Sequence, residues 1–302
     1  MRLGISVNST YGTDARTGVG RMIERVAAAD GAALDSLSFG DHHVQPGYVQ
    51  NTPILARALA DWGERPAGCL FLLPLWNPVL VAEHVVTLSG MMHGPFVLQA
   101  AIGAGQPQFA AMGAETSSRG RMLDESIRVI DALLAGDTVD SEAFGIEGAA
   151  VVPGPACPVE WWIAAGHTEI ALRRAARAGT VWYGPPGATG AQAEHSLEVY
   201  REACADVGRQ PRAALRRDVL ITDDGREAKR LGDELIERGY RGLSRQQVSY
   251  GTAEQVAEEL SVFADLGFDE VVIRCMSPDQ QVALSTIAAA GAVRRLVAGG
   301  AS

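Results

Sequence analysis

The stretch that most narrows the fold is residues 69–102, CLFLLPLWNPVLVAEHVVTLSGMMHGPFVLQAAI. An apolar run at 69–73 meets the turn-forming LPLWNP. Val79, Ala82, Val85, Val86 and Met92 then follow at about helical spacing, and a second apolar run occupies 96–102. A strand-length run that is apolar on successive residues, not alternate ones, is covered on both faces. Two such runs joined through a helix predict a parallel βαβ unit. The unit opens into Gly103-Ala104-Gly105 at the carboxyl end of its second strand, where α/β folds place their ligands.

The same pattern recurs along the chain. Strands are predicted at 3–7, 35–39, 69–73, 96–102, 159–164, 181–183, 214–222 and 270–275, each followed by a helical block. The first ends in Asn8-Ser9-Thr10 and a glycine-containing loop. Residues 136–157 read as irregular, and 223–251 as an excursion after the seventh strand. Eight strand–helix alternations predict an α/β fold, a (β/α)8 TIM barrel, as one domain over 1–302. A doubly wound sheet is the alternative, but no GxGxxG follows the first strand.

Composition excludes several function classes. A formal charge of −10 and a pI near 5.1 argue against nucleic acid or an anionic membrane as partner. Lys229 is the only lysine, in a polar helical block, so Schiff-base chemistry and a P-loop are disfavoured. Cys69, Cys157, Cys204 and Cys275 are scattered with no CxxC spacing, which reads as reduced thiols of a cytoplasmic protein. No apolar run reaches the length of about 18 residues that a membrane span needs.

In a (β/α)8 barrel the strand-to-helix loops at the carboxyl ends build the site, and that rule sorts the histidines. His42 and His43 follow the second strand and His167 the fifth, so all three are expected on the functional face. His93 precedes the fourth strand, on the opposite face, and His84 and His195 lie inside helices. Adjacent residues of an extended segment point to opposite sides, so Asp41-His42-His43 is a poor chelate and no metal site is expected. One imidazole at the mouth, His42, serves better as an acid, base or hydrogen-bond donor, with Asp41 beside it. The structural alternative is that Asp41 only orients a loop. Thr168 in Ala165-Gly166-His167-Thr168 is an N-cap type, whose free N–H groups favour an anion or simply start a helix. Trp161-Trp162 reads as core packing, and no GxSxG elbow occurs.

Several separated elements resemble one family. PLWNPVLVAEHVVTLS, FVLQAAIGAGQPQFAAMG, RGRMLDESIRVIDALL, WWIAAGHTEIALRRAARAG and GTAEQVAEELSVFADLGFDEVVIR are similar, in this order, to the luciferase-like monooxygenases. Members of that family are flavin- or deazaflavin (F420)-dependent (β/α)8 barrels. The resemblance implies a flavin-dependent oxidoreductase, a monooxygenase using reduced FMN and O2 on a small organic substrate. F420-dependent hydride transfer is the alternative. It places His42 of SFGDHH beside the cofactor ring and the cofactor phosphate at the Ala165–Thr168 turn, with Ala165 where the family carries Gly and Thr168 where it carries Ser. Gly103 and Gly105 match its glycine-rich loop after the fourth strand. It also implies a reductase that supplies reduced cofactor, a homodimer, and a strained cis bond without proline within 69–72.

Readings from other classes are a metal-dependent barrel hydrolase or isomerase using Asp41, His42 and His43, and a barrel that only binds a small molecule. The excursion leaves a carboxyl strand end, so 238–251 is expected to lie over the mouth as a lid. Arg245, Gln246 and Tyr250, with Tyr48 from the second loop, are then available for substrate; packing at an oligomer interface is the alternative.

Overall fold

The computed structural model describes residues 1–8, 12 and 14–299; Ser9 and Thr10 of the first strand-end loop lie outside the described residues. In chain order the elements are β1 (Arg2–Val7), α1 (Ala15–Gly31), β2 (Leu37–Phe39), α2 (Asn51–Trp62), β3 (Ala67–Leu72), α3 (Pro78–Ser89), β4 (Phe96–Ala101), α4 (Gln106–Ala111) and α5 (Arg119–Ala135). They continue as β5 (Val139–Ser141), β6 (Ile146–Ala149), β7 (Val159–Ala164), α6 (Glu169–Ala178), β8 (Val181–Gly184), α7 (Gly190–Asp206) and β9 (Ala213–Ile221). The last are α8 (Gly225–Glu237), β10 (Ser249–Gly251), α9 (Ala253–Leu266), β11 (Glu270–Cys275) and α10 (Gln280–Gly299).

β1, β2, β3, β4, β7, β8, β9 and β11 pair in parallel and close through β9–β8 and β11–β1, giving the eight-stranded barrel the sequence predicts. Closure leaves no edge to protect, and the helices cover the outside. The strand β9 is longer than its neighbours. Its first residues pair with β8, and Val219–Ile221 pair with β10. The excursion after the seventh barrel strand therefore ends by adding β10 to the rim.

Three features differ from expectation. Residues 136–157 contain the antiparallel hairpin β5–β6, whose three- and four-residue strands are too short to show apolar alternation. The short helix α4 follows Gly105 and was not separable from the loop. The bonds within 69–72 are trans, and Val152–Pro153 is the only cis bond among the described residues. Leu72 is instead held in place by its N–H, which donates to Asp41 Oδ2 at 2.7 Å.

The helix α10 has the length and apolarity to cross a membrane by composition, a property spread over a periodic pattern and not one continuous apolar run. It lies against the barrel instead, burying Ala283, Ile287, Ala290, Val293 and Val297.

The barrel lumen is not uniformly apolar. Val97, Trp162, Val181, Tyr183, Ala214 and Val272 pack as a middle layer. Gly68 lets the β3 backbone approach β4, since a Cβ there would meet the Val97 carbonyl oxygen at 1.8 Å. At the amino-terminal end, the buried Glu270 accepts a hydrogen bond from Ser36, and Arg2 Nη2 lies 3.0 Å from its other oxygen without hydrogen-bond geometry. Burial lifts the Glu270 carboxyl from 4.5 to about 6 against the opposing pull of Arg2 and Ser36. A carboxyl whose pKa is higher folded than unfolded stabilises the fold when protonated. That contribution is complete below about 4.5 and is lost as pH rises through about 6. The wild type is expected to lose about 2 kcal/mol from this group across that window. Urea unfolding of Glu270→Gln should lack this part of the pH slope; identical slopes in both proteins would contradict it.

Candidate active site at the carboxyl mouth of the barrel

The turn after β2 carries Asp41, His42 and His43, and extended backbone sends neighbours to opposite sides. Asp41 is buried. Its Oδ2 accepts from the Leu72 N–H at 2.7 Å and from the Trp76 indole N–H at 2.8 Å. Its Oδ1 lies 3.5 Å from His43 Nε2, and neither atom has a hydrogen-bond partner among the described residues. His43 also packs edge-on against Trp76, and its N–H donates to Gln108 Oε1 at 2.7 Å. Asp41 and His43 thus lock the ends of β2 and β3 together and tie them to α4.

His42 is directed the other way. It lines a cavity of about 320 Å³ with Ser6, Asn8, Gly40, Tyr48 and Leu70, and its ring meets that of Tyr48 edge-on at 4.8 Å. The residue is exposed by area, yet partial burial of the ring pulls its pKa below the usual imidazole value. Gln108 and Asp41 pull it back up, and Arg274 and His43 push it down. The ring is therefore neutral at neutral pH and able to take a proton. Among the described residues no three His, Cys, Asp or Glu side chains gather as a metal site.

A second cavity of about 210 Å³ shares Leu70 and Arg216 with the first and continues to Ala164, Ala165, Gly166, Tyr183 and Pro185. It leads to the start of α6. Thr168 is the N-cap there, but its hydroxyl makes no capping hydrogen bond. The first-turn N–H groups of a helix have no intrahelical acceptors, so this corner offers donors to an anion. A Cβ on Gly166 would meet nothing within 4 Å, so the turn is open. His167 lines neither cavity. Its Nδ1 is 2.8 Å from the buried Ser196 hydroxyl on α7, and burial lowers its pKa.

Gly103 and Gly105 lie on the β4–α4 loop, at φ +72° and +91°. A Cβ on Gly103 would crowd the Phe109 ring at 3.2 Å. Gln108 joins this loop to the His43 backbone, so it lies at the same rim, although neither glycine lines the two cavities.

Of the residues expected in a lid, Arg245, Gln246 and Tyr250 line neither cavity. The Tyr250 hydroxyl donates to Asp233, the Arg245 guanidinium lies 4.1 Å over the Tyr250 ring and pairs with Glu259, and the Gln246 carbonyl accepts from Arg217 at 2.9 Å. Each is engaged on the outer side of the rim. The part of the excursion that does reach the mouth is Tyr240–Arg241, through hydrogen bonds to Asp218.

Sequence reasoning missed Arg216, Asp218 and Arg274. Residues two apart on a strand share a face, and register sets Arg274 beside Asp218, so all three converge at the carboxyl end of the lumen. The available signal was three charges, Arg216–Asp218, inside a strand that is buried on both faces.

Comparison with known proteins bears on the fold and the family. Over 108 residues the chain is 31% identical to an uncharacterised protein of Mycobacterium bovis, a match that spans 35% of this chain and 37% of that relative. It is 26% identical over 283 residues to the F420-dependent glucose-6-phosphate dehydrogenase of Amycolatopsis mediterranei, covering 87% of this chain and 83% of that one. The fold is similar to the oxygenating constituent of 3,6-diketocamphane monooxygenase from Pseudomonas putida, solved in complex with FMN. The TM-score is 0.82 at 17% identity, over 99% of both chains. Residues 1–247 match the luciferase-like monooxygenases as a family, and the chain belongs to that family of flavin- or F420-dependent oxidoreductases and monooxygenases.

Proposed function

We propose that the carboxyl mouth holds reduced FMN and, with O2, oxidises a small organic substrate. The observation that carries this reading is the continuity of the two cavities through Leu70 and Arg216. They join an imidazole at one end to Gly166 at the other, two residues before the α6 N-cap Thr168, whose hydroxyl makes no capping hydrogen bond. Ala165, Gly166, His167 and Thr168, with Gly103 and Gly105 on the adjoining rim, would hold the cofactor. When bound, the flavin supplies the redox chemistry at its ring. His42 holds or moves a proton at an imidazole nitrogen near the reacting end, and Asp41 positions it by fixing the β2–β3 strand ends. Tyr48 braces the His42 ring, and the apolar wall of Leu70, Ala164 and Tyr183 keeps water from the reacting face. A second reading, F420-dependent hydride transfer without O2, is favoured by the extent of the likeness to the F420-dependent relative. In either case reduced cofactor would come from a separate reductase, in a reducing cytoplasm that suits four free cysteines, to a homodimer.

Anaerobic titration with reduced FMN and reduced F420 tests the reading. Saturable binding of at least one is expected, and binding of neither would overturn it. Thr168→Val is expected to weaken that binding by about 1–3 kcal/mol, the cost of losing a hydrogen bond to a charged group. An unchanged dissociation constant would return Thr168 to helix initiation alone.

A further inference from the structure

The arginines at the mouth are not balanced by acids. Asp218 is fully buried, and its Oδ2 accepts from the Tyr240 hydroxyl at 2.9 Å and from Arg241 Nη1 at 3.1 Å. Arg274 Nη1 lies 4.0 Å from the same oxygen, and Arg274 Nε donates to Asn8 Oδ1 at 2.6 Å. Arg216 Nε stands 3.6 Å from Asp218 Oδ1, too far for a hydrogen bond. Three guanidiniums therefore share one carboxylate. Asp41, the other acid lining the cavity, has its Oδ2 committed to Leu72 and Trp76, and its Oδ1 stands 3.5 Å from His43 Nε2 without a hydrogen bond.

Arg216 is the sharpest case. Its Nε and Nη2 are buried and have no hydrogen-bond partner among the described residues. Leaving such donors unpaired away from water is costly, and guanidinium is always charged. Arg216 borders both cavities, with these two nitrogens themselves closed off from solvent. Arg241 adds a second sign. It is a non-glycine residue at φ +50°, a backbone conformation retained only where the surroundings hold it, and here Asp218 does. In a chain of formal charge −10, this mouth concentrates positive charge.

We propose that Arg216, Arg241 and Arg274 form a cradle for an anionic group of the substrate, a carboxylate or a phosphate monoester. The inference rests on the cofactor reading for which end of the cavity is left to substrate. Planar guanidiniums suit such oxyanions because each presents paired donors. The cradle is then a specificity determinant: neutral analogues of the substrate would leave the Arg216 donors unpaired.

Calorimetric titration of the full chain with inorganic phosphate, with and without reduced FMN, tests it. Saturable binding is expected in the wild type, at least tenfold weaker in Arg216→Met and several-fold weaker in Arg241→Met. Affinity for reduced FMN and for reduced riboflavin, which lacks the phosphate, should stay within twofold in Arg241→Met, which borders only the His42 cavity. Arg241 is one-third exposed, so Arg241→Met remains a test should Arg216→Met fail to fold. No saturable phosphate binding by the wild type, or equal binding by the variants that fold, would overturn the proposal. So would a loss of FMN but not riboflavin affinity in Arg216→Met, since the cradle would then hold the cofactor's phosphate. Phosphate binding that depends on Arg216 in a chain that takes up neither FMN nor F420 would uphold the cradle and sink the cofactor reading instead.

Discussion

His42→Ala is expected to cut turnover by about 10²–10⁴-fold, the usual contribution of a positioned acid or base. The fold should be untouched, because His42 lines a cavity and its ties are confined to the open mouth: its carbonyl accepts from Gln50 at 3.3 Å, and its ring meets Tyr48 and Gln108. The pH profile supplies a second readout. Burial and the nearby Arg274 and His43 hold the His42 pKa below its ordinary value. Activity that needs the neutral ring is therefore complete at neutral pH and falls only as pH drops through that lowered pKa. His42→Ala should remove this acidic limb along with most of the rate. His93→Ala, in the exposed loop before β4 on the opposite face, should leave turnover unchanged. Full activity in His42→Ala would remove the imidazole from the chemistry.

Arg217→Met is expected to lower stability by about 2–4 kcal/mol, from several unpaired buried acceptors less the recovered cost of burying a charge. Arg217 points out of the lumen, opposite to Arg216, and donates to Ser249 Oγ at 3.0 Å and to the carbonyls of Ala188, Gln246 and Val248 at 2.9–3.0 Å. Burial depresses its pKa to about 10. One side chain thus bolts the end of the excursion, including β10, to the barrel wall. Loosening it would also free Tyr240–Arg241 from the mouth, so a fall in activity beyond the loss of folded protein is expected. Chemical denaturation with matched activity at full folding checks both parts. A change under about 0.5 kcal/mol would show that the excursion is held elsewhere.

These two residues mark the boundary of what the sequence shows. The barrel is legible because fully buried parallel strands leave continuous apolar runs, and 69–102 displays two of them around one helix. The rule that loops at carboxyl strand ends carry function then selects Asp41–His43 and the 165–168 turn without coordinates. The arginine cluster is not legible in the same way. Arg216, Arg217 and Asp218 look like an interruption of a strand until register puts Arg274 beside Asp218 and alternation sends Arg217 outward. Its departure from a carboxyl strand end suggested that 238–251 covers the mouth, but side-chain partners divide the segment. Tyr240 and Arg241 turn inward to a buried acid, and Arg245 and Tyr250 turn outward to Glu259 and Asp233. Such partners are distant in sequence and leave no periodic trace.

The central claim is that the carboxyl mouth binds a reduced flavin-type cofactor along the joined cavities. A structure of the chain crystallised anaerobically with reduced FMN, and in parallel with reduced F420, measures this most directly. The account predicts the ring beside Leu70 with His42 at its reacting end, the cofactor phosphate on the Thr168 hydroxyl and the first turn of α6, and Arg216 left free for substrate. Cofactor bound elsewhere on the barrel, or bound here with nothing at Gly166–Thr168, would contradict it.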